Sequence, residues 1–300
     1  MNRRVLSMSI EKQTVFKGVC TALITPFYKG EIDYESLQSL IEVQIDAGVS
    51  AILLAGTTGE SPTLSLREHA DLVSFAARQI GGRLPLLAGC GSNSTAHAIE
   101  LAEAVAESGA DALLAVTPYY NRTNDRGIVA HYHALANATE KPLILYNVPA
   151  RTGFSMTLAH YRELAEHPNI VAVKEASPDL SLLASLCGEC SSNLDIYTGN
   201  DQHTVAAMRL GASGVISVYS NLFPRKMTEI CRLCAAGDWK LAYARQKKAL
   251  PGMQALFCET NPIPVKHVMA TMGLCHEEYR LPLSPPTGDV ARRLSEVFNG

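Results

Sequence analysis

Short apolar runs alternate with amphipathic segments along the chain, at a period of roughly 25–35 residues. The runs stand at 20–25, 51–55, 84–88, 112–117, 143–147, 171–174, 195–198 and 214–218. Each is too short to make a useful helix, and all but 195–198 are rich in Val, Ile, Leu and Ala, which predicts strands buried on both faces. Between them, apolar residues recur three and four apart at 34–47, 66–79, 95–108, 127–138 and 181–187, which predicts helices. Ser65 with Glu68 three positions on predicts a capping box at the start of the second helix.

Strand–helix units without an antiparallel hairpin signal predict an all-parallel sheet. Eight such units close most economically into a (β/α)8 barrel, and the fold class is α/β. A doubly wound sheet is the alternative, but no G-x-G-x-x-G follows the first strand. Residues 1–237 are read as an N-terminal segment and the catalytic barrel. Residues 238–300 are read as a C-terminal helical extension of two or three helices, with no low-complexity linker before it.

Apolar residues at 47% and charged ones at 18% exclude a disordered or fibrous chain. The net charge is −3 and no long basic run occurs, so neither nucleic acid nor an anionic membrane is an expected partner. No apolar stretch approaches the roughly 18 residues of a membrane span. The run 1–14 has only a short mixed segment after Arg3 and Arg4, too brief for a signal-peptide core, and a cytoplasmic location is expected. Cys187 with Cys190 and Cys231 with Cys234 form two CxxC pairs, but these fall on two separate predicted helices and no further His/Cys cluster joins them. They are read as buried or half-buried free thiols rather than as a zinc site.

The run ending at Lys174 carries the most chemical information. Alternation along a strand puts Val171 and Val173 on one face and Ala172 and Lys174 on the other. A lysine at a strand end that reaches solvent is the ordinary explanation. The other strand ends change the balance, because active sites of barrel enzymes gather there. After the second strand comes Gly56-Thr57-Thr58-Gly59-Glu60, with two hydroxyls and exposed amides suited to a small carboxylate. The fourth is followed by Thr117-Pro118-Tyr119-Tyr120-Asn121-Arg122, the fifth by Tyr146-Asn147-Val148-Pro149-Ala150-Arg151-Thr152-Gly153, and the seventh by Thr198-Gly199-Asn200-Asp201. Together they supply an amine nucleophile, phenols and hydroxyls that can move protons, and a guanidinium that can hold a carboxylate.

These motifs, with Asn261-Pro262-Ile263-Pro264-Val265-Lys266, resemble the dihydrodipicolinate synthase family, within the N-acetylneuraminate lyase superfamily, over nearly the whole chain. The resemblance implies an enzyme, a lyase-type synthase, that joins pyruvate to L-aspartate 4-semialdehyde through a Schiff base. It implies Lys174 as the imine-forming amine and Tyr146 as the proton donor and acceptor. Thr57 would link Tyr146 to Tyr120, and Tyr120 would reach in from a neighbouring subunit. Thr58 would hold the pyruvate carboxylate, Arg151 the carboxylate of the second substrate, and Gly199 and the backbone of Ile216 would line the pocket. No metal or organic cofactor is implied, and a homotetramer is. Lyases of the superfamily typically carry serine in the place of Thr57 and lack an arginine in that of Arg151.

Other readings remain open at this stage: another pyruvate-dependent aldolase or lyase such as N-acetylneuraminate lyase, or a non-catalytic paralogue that senses pyruvate or lysine. Many members of the family are inhibited by lysine. The positions matching that site are Ser61, Leu66, His69, Asn93, His97 and Tyr119. His97 stands where sensitive members have a glutamate, and Leu66 where a histidine is common, so the site is expected to be degenerate.

Overall fold

A computed structural model of the chain describes residues 13–298. The expectation for the run 1–14 falls, up to residue 12, outside these residues. Eight parallel strands close into a barrel: β1 (Gly18–Ala22), β4 (Ala51–Leu54), β5 (Leu86–Gly89), β6 (Ala112–Val116), β7 (Leu143–Asn147), β8 (Ile170–Glu175), β9 (Asp195–Thr198) and β10 (Gly214–Ser217). Sequence neighbours pair around the ring, and β10 returns to pair with β1. The chain is thus a (β/α)8 barrel followed by a helical part.

The remaining strands, β2 (Phe27–Tyr28) and β3 (Glu31–Ile32), form a two-stranded antiparallel ribbon outside the barrel. It turns through Lys29 and Gly30, both at positive φ, 54° and 83°. Two further shifts from expectation have local causes. The first strand starts and ends earlier than predicted, and Thr25, beyond it, donates its hydroxyl to the Gly59 carbonyl at 2.7 Å. A register shift between β7 and β8 pairs Leu143 with Ile170 and Ile144 with Ala172, skipping Val171. Val171 therefore joins Ala172 in the barrel-interior cluster while Val173 packs with the outer core, so the expected sharing of a face by Val171 and Val173 fails.

Helices α1 (Tyr34–Asp46), α2 (Leu66–Ile80), α3 (Thr95–Glu107) and α4 (Asp125–Asn137) cover the first half of the barrel. A short turn α5 (Pro149–Thr152), then α6 (Leu158–Leu164), α7 (Leu180–Glu189), α8 (Thr204–Leu210) and α9 (Pro224–Ala235), cover the second. The predicted capping box is present: the Ser65 hydroxyl accepts from the Glu68 amide at 3.2 Å, and Glu68 accepts from the Ser65 amide at 2.8 Å. Such a cap stabilises by about 1 kcal/mol. Phe16 stacks on Tyr197 at 4.1 Å and its carbonyl accepts the Tyr197 hydroxyl at 2.7 Å, which fills the N-terminal end of the barrel interior. Among the described residues the interior is thus plugged from below, which leaves its C-terminal end for a ligand.

Three helices, α10 (Trp239–Ala255), α11 (Ile263–Thr271) and α12 (Gly288–Phe298), follow the barrel. The stretch after α11 crosses back over the ribbon: Glu278 accepts from the amides of Lys29 and Gly30, and His276 stacks on Tyr28 at 4.2 Å. Arg280 pairs with Glu68 at 2.5 Å, and that partner holds the Glu68 carboxyl down at about 2. Among the described residues no helix is long and apolar enough to cross a membrane.

All eight cysteines are free, six of them buried; Cys187 lies on α7 with Cys190 capping its C-terminal end, and Cys231 and Cys234 both lie within α9. Burial pushes the thiols of Cys187 and Cys234 up to about 11, which leaves them unreactive at neutral pH. Among the described residues no group of three or more His, Cys, Asp or Glu could hold a metal ion.

Candidate active site

A cavity of about 420 Å³ opens at the C-terminal ends of the strands. Its wall includes Lys174, Tyr146, Thr57, Thr58, Arg151 and Gly199, six residues the sequence marks out from four different strand ends. Lys174 lies inside β8, which continues to Glu175, so its stem is walled in and the residue is only 6% exposed. It pairs in register with Tyr146 on one side and Tyr197 on the other. The ammonium nitrogen stands 4.3 Å from the centre of the Tyr146 ring. Just past the adjacent strand β9, a Cβ on Gly199 would come within 2.9 Å of Lys174 Cε, so the glycine leaves the room that the lysine stem occupies.

The loop carrying Thr57 and Thr58 is held from several sides. Gly59 and Glu60 amides donate back to Gly56 and Thr57 carbonyls at 3.1 and 3.2 Å, which makes a tight turn. Ala55 and Glu60 both sit at positive φ, 47° and 55°, a strain of about 1–2 kcal/mol per residue that the surroundings must hold. A Cβ on Gly89 would stand 2.1 Å from the Ala55 carbonyl oxygen, so only glycine lets β5 approach this loop. The Glu60 carboxylate accepts from Lys266 at 2.5 Å, and neither side chain is exposed. Burial pulls the Lys266 ammonium down, and the charge of Glu60 opposes that shift.

Arg151 comes from α5, a single turn begun by Pro149 and ended by Gly153 in the left-handed region. Its guanidinium donates to the Asn261 carbonyl at 2.9 Å, while the Asn261 side chain donates to the Thr58 hydroxyl at 3.0 Å. Asn261, together with Glu259, lines the cavity and was not assigned from sequence, although it opens the quoted motif that ends in Lys266.

A network beneath the cavity also escaped the sequence. Glu175, fully enclosed, accepts from both Asn147 (3.0 Å) and the Tyr161 hydroxyl (2.9 Å), and from the Ser177 amide (2.7 Å). It ties the end of β7 to that of β8, and so fixes Tyr146 against Lys174. Asp201 accepts from the amides of Val218 and Tyr219 at 3.0 and 2.9 Å. Burial pushes its carboxyl up, opposed by these hydrogen bonds and by the charge of Lys174.

Two of the expected residues are not on the cavity wall. Ile216 lies in the barrel-interior cluster with no exposure, and Val218, two residues on, takes the place on the wall. Tyr120 is 90% exposed, sits at positive φ, 67°, and is not among the residues lining its own barrel's cavity.

A second cleft of about 490 Å³ adjoins the first and shares Thr57, Tyr146, Val148 and Arg151 with it. Ser61, Leu66, His69, His97 and Tyr119 line it, whereas Asn93 does not and instead accepts through its carbonyl from Asn121 at 2.9 Å. His69 donates through Nε2 to the Gly89 carbonyl at 2.7 Å, and burial keeps its imidazole below the usual range. His97 pairs with Glu100 at 3.1 Å.

Comparison with known proteins bears on the chain as a whole. The model of the dihydrodipicolinate synthetase family matches residues 15–299. A 4-hydroxy-tetrahydrodipicolinate synthase of Geobacter metallireducens is 45% identical over 284 residues, covering 95% of this chain and 98% of that protein. The chloride-inhibited dihydrodipicolinate synthase of Acinetobacter baumannii, solved in complex with pyruvate, superposes with a TM-score of 0.93 at 41% identity, over 95% of this chain and 98% of that one. A monomeric dihydrodipicolinate synthase variant superposes with a TM-score of 0.93 at 37% identity, over 95% and 96% of the two chains. With its barrel, its strand-borne lysine and its matched length, the chain belongs to the dihydrodipicolinate synthetase family.

Proposed function

We propose that this enzyme condenses pyruvate with L-aspartate 4-semialdehyde to give 4-hydroxy-tetrahydrodipicolinate, a step toward lysine and diaminopimelate. The observation that carries the reading is Lys174 beside the Tyr146 ring, in one cavity with Thr57, Thr58 and Arg151. The Lys174 amine adds to the pyruvate ketone and expels water, and Thr58 holds the pyruvate carboxylate. The iminium nitrogen then draws electrons as a methyl proton leaves, giving an enamine. Tyr146 takes that proton. The enamine carbon attacks the aldehyde, and a relay through Tyr146, Thr57 and Tyr120 protonates the new alkoxide. The substrate's own amine displaces Lys174 and closes the ring, which restores the enzyme. Arg151 holds the second carboxylate throughout by a charge-assisted contact.

Tyr120 can join that relay only across a subunit boundary, and its exposure supports such an arrangement. A cytoplasmic homotetramer is the setting the reading implies, and a dimer is the least it requires. The adjoining cleft is read as a degenerate lysine site, because the imidazole of His97 and the alkyl chain of Leu66 offer a diamine no carboxylate. The test is to offer the purified protein pyruvate with a panel of aldehydes and identify the products. The expected product forms from the semialdehyde. Turnover with N-acetylmannosamine instead would make the protein a lyase of the superfamily, and no turnover with any aldehyde would make it a sensor.

A further inference from the structure

The catalytic loop is held by a part of the chain with no chemistry of its own, the segment 261–266 at the start of α11. Asn261 donates to the Thr58 hydroxyl, and its carbonyl accepts from Arg151, at 3.0 and 2.9 Å. Five residues further on, in the first turn of α11, Lys266 meets Glu60, the last residue of the loop, at 2.5 Å. Neither side chain has any exposure, and the ammonium also lies 4.4 Å from the Phe27 ring and 5.2 Å from that of Tyr279. The second Glu60 oxygen accepts from the Arg280 amide at 3.2 Å. A packed apolar pair would serve stability at least as well as a buried ion pair, so stability alone does not account for these charges. What the pair adds is direction. A carboxylate fixed at both oxygens sets the backbone of a residue held at positive φ, and that backbone ends the turn presenting Thr57 and Thr58.

We infer that Glu60 and Lys266 are positioning residues for the pyruvate-carboxylate site: the buried pair anchors the Thr57–Thr58 turn to α11 and so sets the height of the Thr58 hydroxyl above Lys174. This rests on the reading of the cavity given above. Arg151 reaches the same segment through Asn261 but is held independently by the turn of α5, so the pair governs the first substrate and not the second.

The experiment compares wild type with Glu60→Gln, Lys266→Met and the double variant. Either single change leaves one charge uncompensated in the interior and can fail to fold. The double variant removes both charges while shortening only the lysine side chain, by one heavy atom, and it is the decisive one. It should fold, with a thermal midpoint near that of wild type. Its KM for pyruvate should rise about tenfold or more, while its KM for the semialdehyde and its kcat at saturating pyruvate change less than about threefold. A folded double variant with both KM values unchanged, or with both raised alike, would overturn the inference and leave the pair a structural one. Reductive trapping of pyruvate on wild-type Lys174 separates the two failures, since its absence would remove the catalytic reading itself.

Discussion

Gly199→Ala probes the placement of Lys174 without replacing any reactive group. The added Cβ would lie 2.9 Å from Cε and 3.3 Å from Cγ of Lys174, and 2.7 Å from Cβ of Ala176. Carbon atoms pack best at about 3.5–4.0 Å, so the methyl overlaps the lysine stem by roughly half an ångström or more. The Gly199 φ lies outside the left-handed region, so alanine brings no backbone strain and the contact alone is tested. Overpacking of this kind costs about 1–3 kcal/mol. The flexible end of Lys174 can move to relieve its share, whereas the Cβ of Ala176 cannot. Relief by the lysine is what harms catalysis. A displacement of about 1 Å costs on the order of 10²-fold, equal to about 2.7 kcal/mol on the barrier. The expected result is a modest fall in Tm with a loss of about 10²-fold in kcat/KM and a slower trapping of pyruvate by borohydride. Gly188→Ala, at a helical position where nothing beyond the helix's own nearby backbone and the adjoining residues lies within 4 Å of the new Cβ, serves as the control and should leave kcat/KM and trapping unchanged. Wild-type trapping and kcat/KM in a folded Gly199→Ala enzyme would refute the claim that this wall positions the amine.

Three further outcomes follow from the same geometry. Tyr120→Phe and Lys174→Ala should each be inactive or nearly so, yet mixed oligomers of the two should recover part of the activity, because Tyr120 is 90% exposed on its own protomer. Verified mixed oligomers with no recovery would remove the shared site. Arg151→Ala should raise the KM for the semialdehyde far more than that for pyruvate, and equal effects on both would take Arg151 out of its proposed place. Lysine at millimolar concentration should inhibit weakly or not at all. The missing carboxylate contact costs about 1.5–3 kcal/mol, about 10–100-fold in affinity, and a dose–response curve with sub-millimolar inhibition would contradict it.

The barrel was legible because strands buried on both faces read as unbroken apolar runs, and each of the eight observed strands overlaps one of them. Their ends were less so: the runs at 20–25 and 84–88 sit two residues away from the starts at Gly18 and Leu86. The ribbon of β2 and β3 escaped because two-residue strands show no alternation. The bulge at Val171 escaped because register depends on the partner strand, which a single apolar run does not encode. At the site, residues whose type is costly in a strand or turn, such as Lys174 and Arg151, marked themselves. Asn261, Glu175 and Asp201 did not, since their work is to hold others across the fold. The Glu60–Lys266 pair spans 206 positions, and nothing local to either residue announces the other. Tyr120 marks a different limit, because the place of action proposed for it lies on another copy of the chain.

The central claim is that the Lys174 amine forms the imine with pyruvate. Incubation with pyruvate and borohydride, followed by proteolysis and mass spectrometry, tests it directly, because reduction turns a reversible imine into a stable secondary amine. The account predicts one carboxyethyl group per chain, on the peptide that contains Lys174, and none in Lys174→Arg, whose guanidinium cannot act as this nucleophile. An adduct on Lys141 or Lys266 in place of Lys174, or no adduct at all, would contradict it.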